Sequence, residues 1–321
     1  MLIKTADDRT RRIGLLENLQ GSPLLADWQK NKLKDELFAL RMGVAGERDA
    51  AHYIDTYYRD GENHAVIHDL RLSMDGEVAQ IDHLLISRGL NFYLLETKNF
   101  SGSITISDAG EFSVTYPNRR TYGIPSPIEQ SRRHAVVLEK VLDQLGIQGR
   151  LGVPRQIRHV VLVDPKATIK RPSPKVLDTS MVIKADQFRS WHTEWVEKEA
   201  GVAELFGSMI NLRSSSTLRE MAEKIARQHR PVDPLSLPAY LKPKTAPPSS
   251  APPVPAPPDV ARASPIETRT PPSVVEGEKK KRLVCEKCGE KISRAEGLFC
   301  WSKPQRFGGV QYCRTHQSDF Q

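Results

Sequence analysis

Cysteine is absent from the first 284 residues of this 321-residue chain; the four present are Cys285, Cys288, Cys300 and Cys313. A disulfide framework or a cysteine-ligated centre in the body of the protein is therefore excluded. No apolar run approaches the roughly 20 residues that span a bilayer. The opening stretch, MLIKTADDRTRRIG, lacks the continuous apolar segment of a secretory signal. There is no internal repeat and no Gly-x4-Gly-Lys-Ser/Thr loop, so the chain encodes no P-loop ATPase or helicase. The expectation is a soluble, cytoplasmic protein whose late cysteines stay reduced and serve a metal or remain thiols.

An excess of one charge is also missing from most of the chain. The first 235 residues hold 33 Lys/Arg against 31 Asp/Glu, and residues 236–278 hold four of each. The last 43 residues hold ten against four, so most of the formal +8 sits in the tail and points to an anionic partner there. From Pro234 to Pro272 a Pro/Ala/Ser tract offers almost nothing to bury. Such a tract extends at roughly 3.1 Å per residue as a polyproline-type spacer, and can also offer a protein partner a ligand for an aromatic groove. The expected organisation is an N-terminal helical segment (1–41), a core (42–164), an extension of it (165–235), a Pro-rich linker (236–278) and a basic module (279–321).

Apolar positions recur at helical spacing from Leu24 to Met42; Gly43 and Gly46 are expected to break that run before a second helix reaches about Tyr58. Strand-like runs follow at Ala65–Leu72, Val78–Ser87 and Asn91–Lys98, with turns at Asp75-Gly76 and Arg88-Gly89. A shorter strand pair is expected around Gly102–Tyr116. A helix entered by Ser126-Pro127 and stopped by Gly146 comes next, then a buried strand in IRHVVLVDP. Asp186–Glu199 and Ser215–Gln228 read as helices. The order helix, three strands, helix, strand predicts an α/β fold with a mixed sheet.

Three ionisable residues interrupt the second and third strand runs: Asp82, Glu96 and Lys98. Glu96 and Lys98, two apart, share a strand face, and a tight turn lets Asp82 approach that face from the neighbouring strand. An ion pair on a solvated face is the plainer interpretation, but Ile81, Leu84, Leu85, Ile86, Tyr93, Leu94 and Leu95 make both strands central. Converging carboxylates in an apolar setting are neutralised well by an oxygen-preferring divalent cation. Lys98 beside it can orient a water or stabilise charge on a phosphate. A metal-dependent hydrolytic site is the expectation.

The segments GVAGERDAAHYI, QIDHLLIS, YLLETKNFSG and SPIEQSRRH, in this order, resemble the nuclease-related domain (NERD), a branch of the PD-(D/E)XK nucleases. The resemblance runs from Met42 to Asp164, about two-fifths of the chain. It implies a restriction-endonuclease-like αβββαβ core acting as a phosphodiesterase, dependent on Mg or Mn. Asp82 and Glu96 would be its metal ligands and Lys98 its catalytic lysine. Glu47 would join the metal shell and Gln130 would face the site. Four residues after Gln130 this chain has His134 where related nucleases carry Tyr, and His134 is expected to be satisfied or substrate-facing rather than a ligand. His83 and His52 are expected in packing or surface roles, with His83 on the sheet face opposite Asp82.

In the tail, CEKCGEKI has the Cys-x2-Cys-Gly form of a zinc knuckle, and YCRTH repeats the x2 spacing with Cys313 and His316. A tetrahedral zinc site takes four ligands from five candidates, Cys285, Cys288, Cys300, Cys313 and His316, with the fourth left open between Cys300 and His316. About 40 residues hold too little core to fold alone, whereas structural zinc supplies about 10–16 kcal/mol in comparable peptides. The basic run Lys279-Lys280-Lys281-Arg282, with Phe299, Trp301, Phe307 and Tyr312 nearby, suits nucleic acid, though those aromatics also suit a small core. Three readings result: a nuclease, with DNA the expected substrate, whose zinc tail recruits nucleic acid; a catalytically silent nucleic-acid-binding protein; and a protein-interaction adaptor.

Overall fold

The computed structural model describes residues 1–100, 102–199, 201–241, 283–301, 303–308 and 310–320. The Pro-rich tract from residue 242 onward and the run Lys279-Lys280-Lys281-Arg282 lie outside the described residues, as does the side chain of Trp301. The chain divides into two units, Met1–Pro247 and Pro248–Gln321.

In the first unit the main sheet contains β1 (Leu2–Lys4), β2 (His64–Met74), β3 (Glu77–Ser87), β4 (Asn91–Lys98), β8 (Gln156–Val163) and β10 (Val182–Lys184), side by side in that order. β2, β3 and β4 form an antiparallel meander; β1 joins one edge and β8 and β10 the other, all in parallel pairings. A second mixed sheet holds β5 (Ser103–Ile106), β6 (Phe112–Thr115), β7 (Thr121–Ile124) and β9 (Ile169–Lys170). The β2–β3 turn places Asp75 at φ 52° and Gly76 at φ 78°, the left-handed pair that matches strand twist in a two-residue hairpin.

Helices cover both faces of the main sheet. α3 (Pro127–Gln144) and α6 (Ser215–Ala226) bury Leu138, Val141, Leu142, Leu218 and Ile225 against Ile67, Leu84 and Leu94. α2 (Asp27–Tyr58) and α4 (Phe188–Glu194) bury Ile54, Tyr58 and Phe188 against Val66, Leu85 and Tyr93 on the other face. α1 (Thr10–Gln20) packs Leu16 on Leu33 and Leu37 of α2, and α5 (Val202–Ile210) precedes α6. α3 starts as its sequence dictates: the Ser126 hydroxyl accepts from Glu129 N–H at 3.3 Å and Pro127 fills the first turn. The mixed α/β architecture, with α2, β2–β4, α3 and β8 in the expected order, is that of a restriction-endonuclease-like core.

One expectation is overturned. Gly43 and Gly46 do not break the first helix; α2 is continuous over 32 residues. Gly46 is there for contact: a Cβ at this position would lie 2.4 Å from Asn99 Cβ, and Asn99 Nδ2 donates to Met42 O at 2.8 Å. The missing side chain lets the end of β4 dock on the helix, and a helix tolerates a lone glycine at roughly 1 kcal/mol. The expected strand pair around Gly102–Tyr116 is present and gains a third antiparallel member, β7.

Candidate active site and metal centre

The regular alternation of β2 and β3 fails at one place in each strand. Ile67 and Leu70 both pack in the α3/α6 cluster, as do Ile81 and Leu84, so His68-Asp69 and Asp82-His83 form two-residue inserts. The ladder passes from His68 opposite His83 to Leu70 opposite Ile81, and Asp69 adopts φ 53°. Irregularities of this kind re-aim side chains. His83 turns toward α2: its Nδ1 lies 2.7 Å from His68 Nδ1, and His68 Nε2 lies 3.0 Å from Asp55 Oδ1 on that helix. Asp82 is left at the point where β3 and β4 part. Their pairing ends at His83 opposite Leu95, and the next free ladder donor, Thr97 N–H, donates to Asp82 Oδ2 at 2.8 Å.

Glu96 and Lys98 share a strand face, as alternation requires, and Lys98 Nζ donates to Glu96 Oε1 at 2.8 Å. The same ammonium donates to Gln130 Oε1 of α3 at 3.1 Å. One cavity of about 620 Å³ is lined by Glu47, Asp82, Glu96, Lys98 and Gln130. The five side chains come from four elements. A larger cavity of about 760 Å³ shares Glu47 but lacks Asp82, Glu96 and Lys98, and is lined instead by residues including Arg9, Asp55, His68 and Asp69. The chemistry, not the size, marks the smaller one as the candidate.

Burial dominates the electrostatics. It pushes the Asp82 carboxyl well above its ordinary range, reinforced by the charges of Glu96 and Glu47. Glu96 is raised by burial against the opposing pull of Lys98 and Arg133. Glu47 is raised to about 7, by burial first and then by Asp69. Three carboxyls held in one cavity with raised pKa are the donor set that a hard divalent cation suits, since its charge offsets what burial and mutual repulsion cost. His134 Nδ1 sits 3.6 Å from Glu96 Oε2, and burial, with Arg133 and Lys98, lowers its pKa to about 4. His52 is exposed on α2 beside Tyr53.

Sequence reading missed Asp69 and its clamp. Its buried carboxylate accepts from Arg9 at 2.8 Å, from Asp7 N–H at 3.0 Å and from Gln80. The signal was available: an Asp inside the apolar run AVIHDLRL repeats the anomaly of Asp82.

In the second unit, Cys285, Cys288, Cys313 and His316 have ligand atoms all within 4.8 Å of one another. Cys288 Sγ lies 3.9 Å from Cys313 Sγ, and His316 Nδ1 lies 3.2 Å from Cys313 Sγ and 3.5 Å from Cys285 Sγ. Tetrahedral zinc with Zn–S of about 2.3 Å separates its sulfurs by about 3.8 Å, so the set could hold zinc. Cys300 lies outside it: Tyr312 N–H donates to Cys300 Sγ at 3.3 Å and Gln317 Nε2 at 3.4 Å. Gly289 follows the knuckle at φ 71° and its N–H donates to Cys285 O at 2.8 Å. Burial raises the Cys285 thiol, but backbone N–H groups around it outweigh that and bring it to about 6. This is the one close set of three or more such ligands among the described residues.

Residues 42–163 match the family model of the nuclease-related domain, NERD. The matched segment begins within α2, just before Glu47, and ends with β8, so all five cavity residues named above fall inside it. No curated protein matches the chain, and no solved structure does. No helix among the described residues is long and apolar enough to cross a membrane.

Proposed function

We propose that the NERD core is a nuclease that hydrolyses nucleic-acid phosphodiesters, with DNA as substrate and Mg or Mn as cofactor. The observation that carries this reading is the convergence of Glu47, Asp82, Glu96, Lys98 and Gln130 on one cavity within the matched domain. Asp82 and Glu96 are the metal ligands in this reading, with Glu47 completing the shell. A divalent cation held there supplies neutralising charge at the phosphate and acidifies a water. Lys98 donates two of its three ammonium protons to Glu96 and Gln130, and the third remains to hold a water or a phosphate oxygen. Gln130 and Glu96 thereby fix the ammonium, and Thr97 N–H fixes Asp82.

The division into core, Pro-rich linker and basic zinc module completes the proposal. The tail, with ten Lys/Arg against four Asp/Glu, recruits nucleic acid, and zinc binds its Cys3His set. The test is incubation of the purified full chain with Mg²⁺ or Mn²⁺ and linear, circular, single-stranded and RNA substrates. Metal-dependent cleavage lost in Lys98→Ala supports the reading. Salt-dependent binding without cleavage favours a silent nucleic-acid-binding protein, and neither favours an adaptor.

A further inference from the structure

The cavity that holds the carboxylates is also lined by aromatic rings. Phe38, Phe100 and Tyr116 line it, from α2, the segment after β4 and the loop after β6. Phe100 and Tyr116 are partly buried against the core of the second sheet, and Tyr122 packs edge-on against Tyr116 at 6.0 Å between ring centroids. The Phe100 and Tyr116 rings are thus packed on one side and open on the other. Phe38 is 67% exposed, although leucine-like burial would be its ordinary fate on a helix. Among the described residues lining the cavity, Lys98 is the one cation.

A duplex carries one phosphate charge per roughly 1.7 Å of axis and hides its base faces in the stack, so a duplex site needs a track of cations and has little use for rings. An unpaired strand presents base faces, and each base stacked on an aromatic side chain is held regardless of sequence. About 620 Å³ is room for nucleotide-sized groups beside the carboxylates. We infer that the cavity takes an unpaired nucleic-acid strand, its bases stacked on Phe38, Phe100 and Tyr116 and its backbone laid toward Lys98. The inference rests on reading the cavity as the site of phosphodiester hydrolysis.

The test uses the full chain, a dT oligonucleotide carrying 5-iododeoxyuridine, and ultraviolet crosslinking without added divalent cation, mapped by mass spectrometry. Crosslinks are expected on peptides holding Phe38, Phe100 or Tyr116. They should fall at least about tenfold when the oligonucleotide is annealed to its complement, and about tenfold in Phe38→Ala, with Phe38→Trp restoring them. With Mg²⁺ or Mn²⁺, cleavage of the single strand should exceed that of the blunt duplex about tenfold or more. Crosslinks spread equally over duplex and single strand, or absent from all three residues, overturn the inference. Crosslinking at the rim without cleavage of any nucleic acid upholds strand binding and removes the catalytic reading. Duplex cleavage with a silent rim does the reverse.

Discussion

The two candidate metal centres are built in opposite ways. Glu47, Asp82, Glu96 and Lys98 are delivered by a long helix and two central strands, which a large apolar core holds whether or not a cation is present. Cys285, Cys288, Cys313 and His316 are delivered by turns and by α9 (Arg314–Gln317), beside α7 (Arg294–Trp301) and α8 (Pro304–Phe307). Their cluster buries little more than Cys285, Ile292 and Cys313, with Phe307 against Tyr312 and Phe320. In the first centre the fold makes the site, so a ligand can be removed at small structural cost. In the second the metal would be part of the fold.

The largest expected effect breaks the second centre alone. Zinc removal by chelation, or Cys285→Ser with Cys288→Ser, should unfold the tail, because about 10–16 kcal/mol of metal binding has no substitute in so small a core. Hydrogen exchange should then rise across 283–320 and stay unchanged in Met1–Pro247. Protected tail amides in the metal-free protein would erase the contrast.

Asp82→Asn tests the first centre. It keeps an acceptor for Thr97 N–H and removes a charge that burial disfavours. Cleavage should fall by about 100-fold or more while the melting temperature holds or rises. Asp82→Ala should also lose cleavage, and should cost about 1–3 kcal/mol in addition by leaving Thr97 N–H unpaired. A large loss of stability in the Asn variant would show that the carboxylate holds the fold.

Gly46→Ala sharpens the role of the helix. Its Cβ would stand 2.4 Å from Asn99 Cβ, so α2 and the end of β4 must separate. An unfolding free energy lowered by about 1–3 kcal/mol in denaturant titration is expected, with turnover reduced because Asn99 adjoins Lys98.

A pH effect distinguishes the α2 face of the sheet. Burial lowers His64 to about 4 and His192 to about 3, the latter with its Nδ1 2.8 Å from the Tyr58 hydroxyl. Both stay neutral in the folded state, so their contribution to stability is present above about 6.5 and is lost as pH falls toward 3–4. Melting of His192→Gln should depend less on pH across that window than melting of the parent.

The smallest effect belongs to Cys300→Ala. Its thiol is buried but outside the ligand set, so Co²⁺ absorption of the substituted protein should show three thiolates still bound, whereas Cys313→Ala should lose a thiolate band.

Much of this could be seen in the chain itself. Strands β2–β4 and β8, helix α3 with its Ser-Pro entry, and the charged interruptions Asp82, Glu96 and Lys98 were readable, because apolar periodicity and its interruptions are local properties; Glu47 and Gln130 were suggested only by the resemblance to the nuclease-related domain. The strands β1, β7, β9 and β10 were not seen. Two to four residues carry no period, and only a neighbouring strand makes them strands. Gly46 was misjudged for the same reason: propensity describes a glycine in a helix as a weak point, while its use depends on Asn99, 53 positions away.

By itself, then, the sequence determined which residues are out of place in an apolar strand and which cysteines recur at knuckle spacing, since both follow from nearest neighbours along the chain. The tertiary structure alone decided that Asp82 takes over a ladder bond where β3 leaves β4, that Asp69 lies beside Glu47, and that His316 rather than Cys300 closes the cysteine set. Each of these depends on distances between segments far apart in sequence, and those distances are set by how the sheets and helices pack.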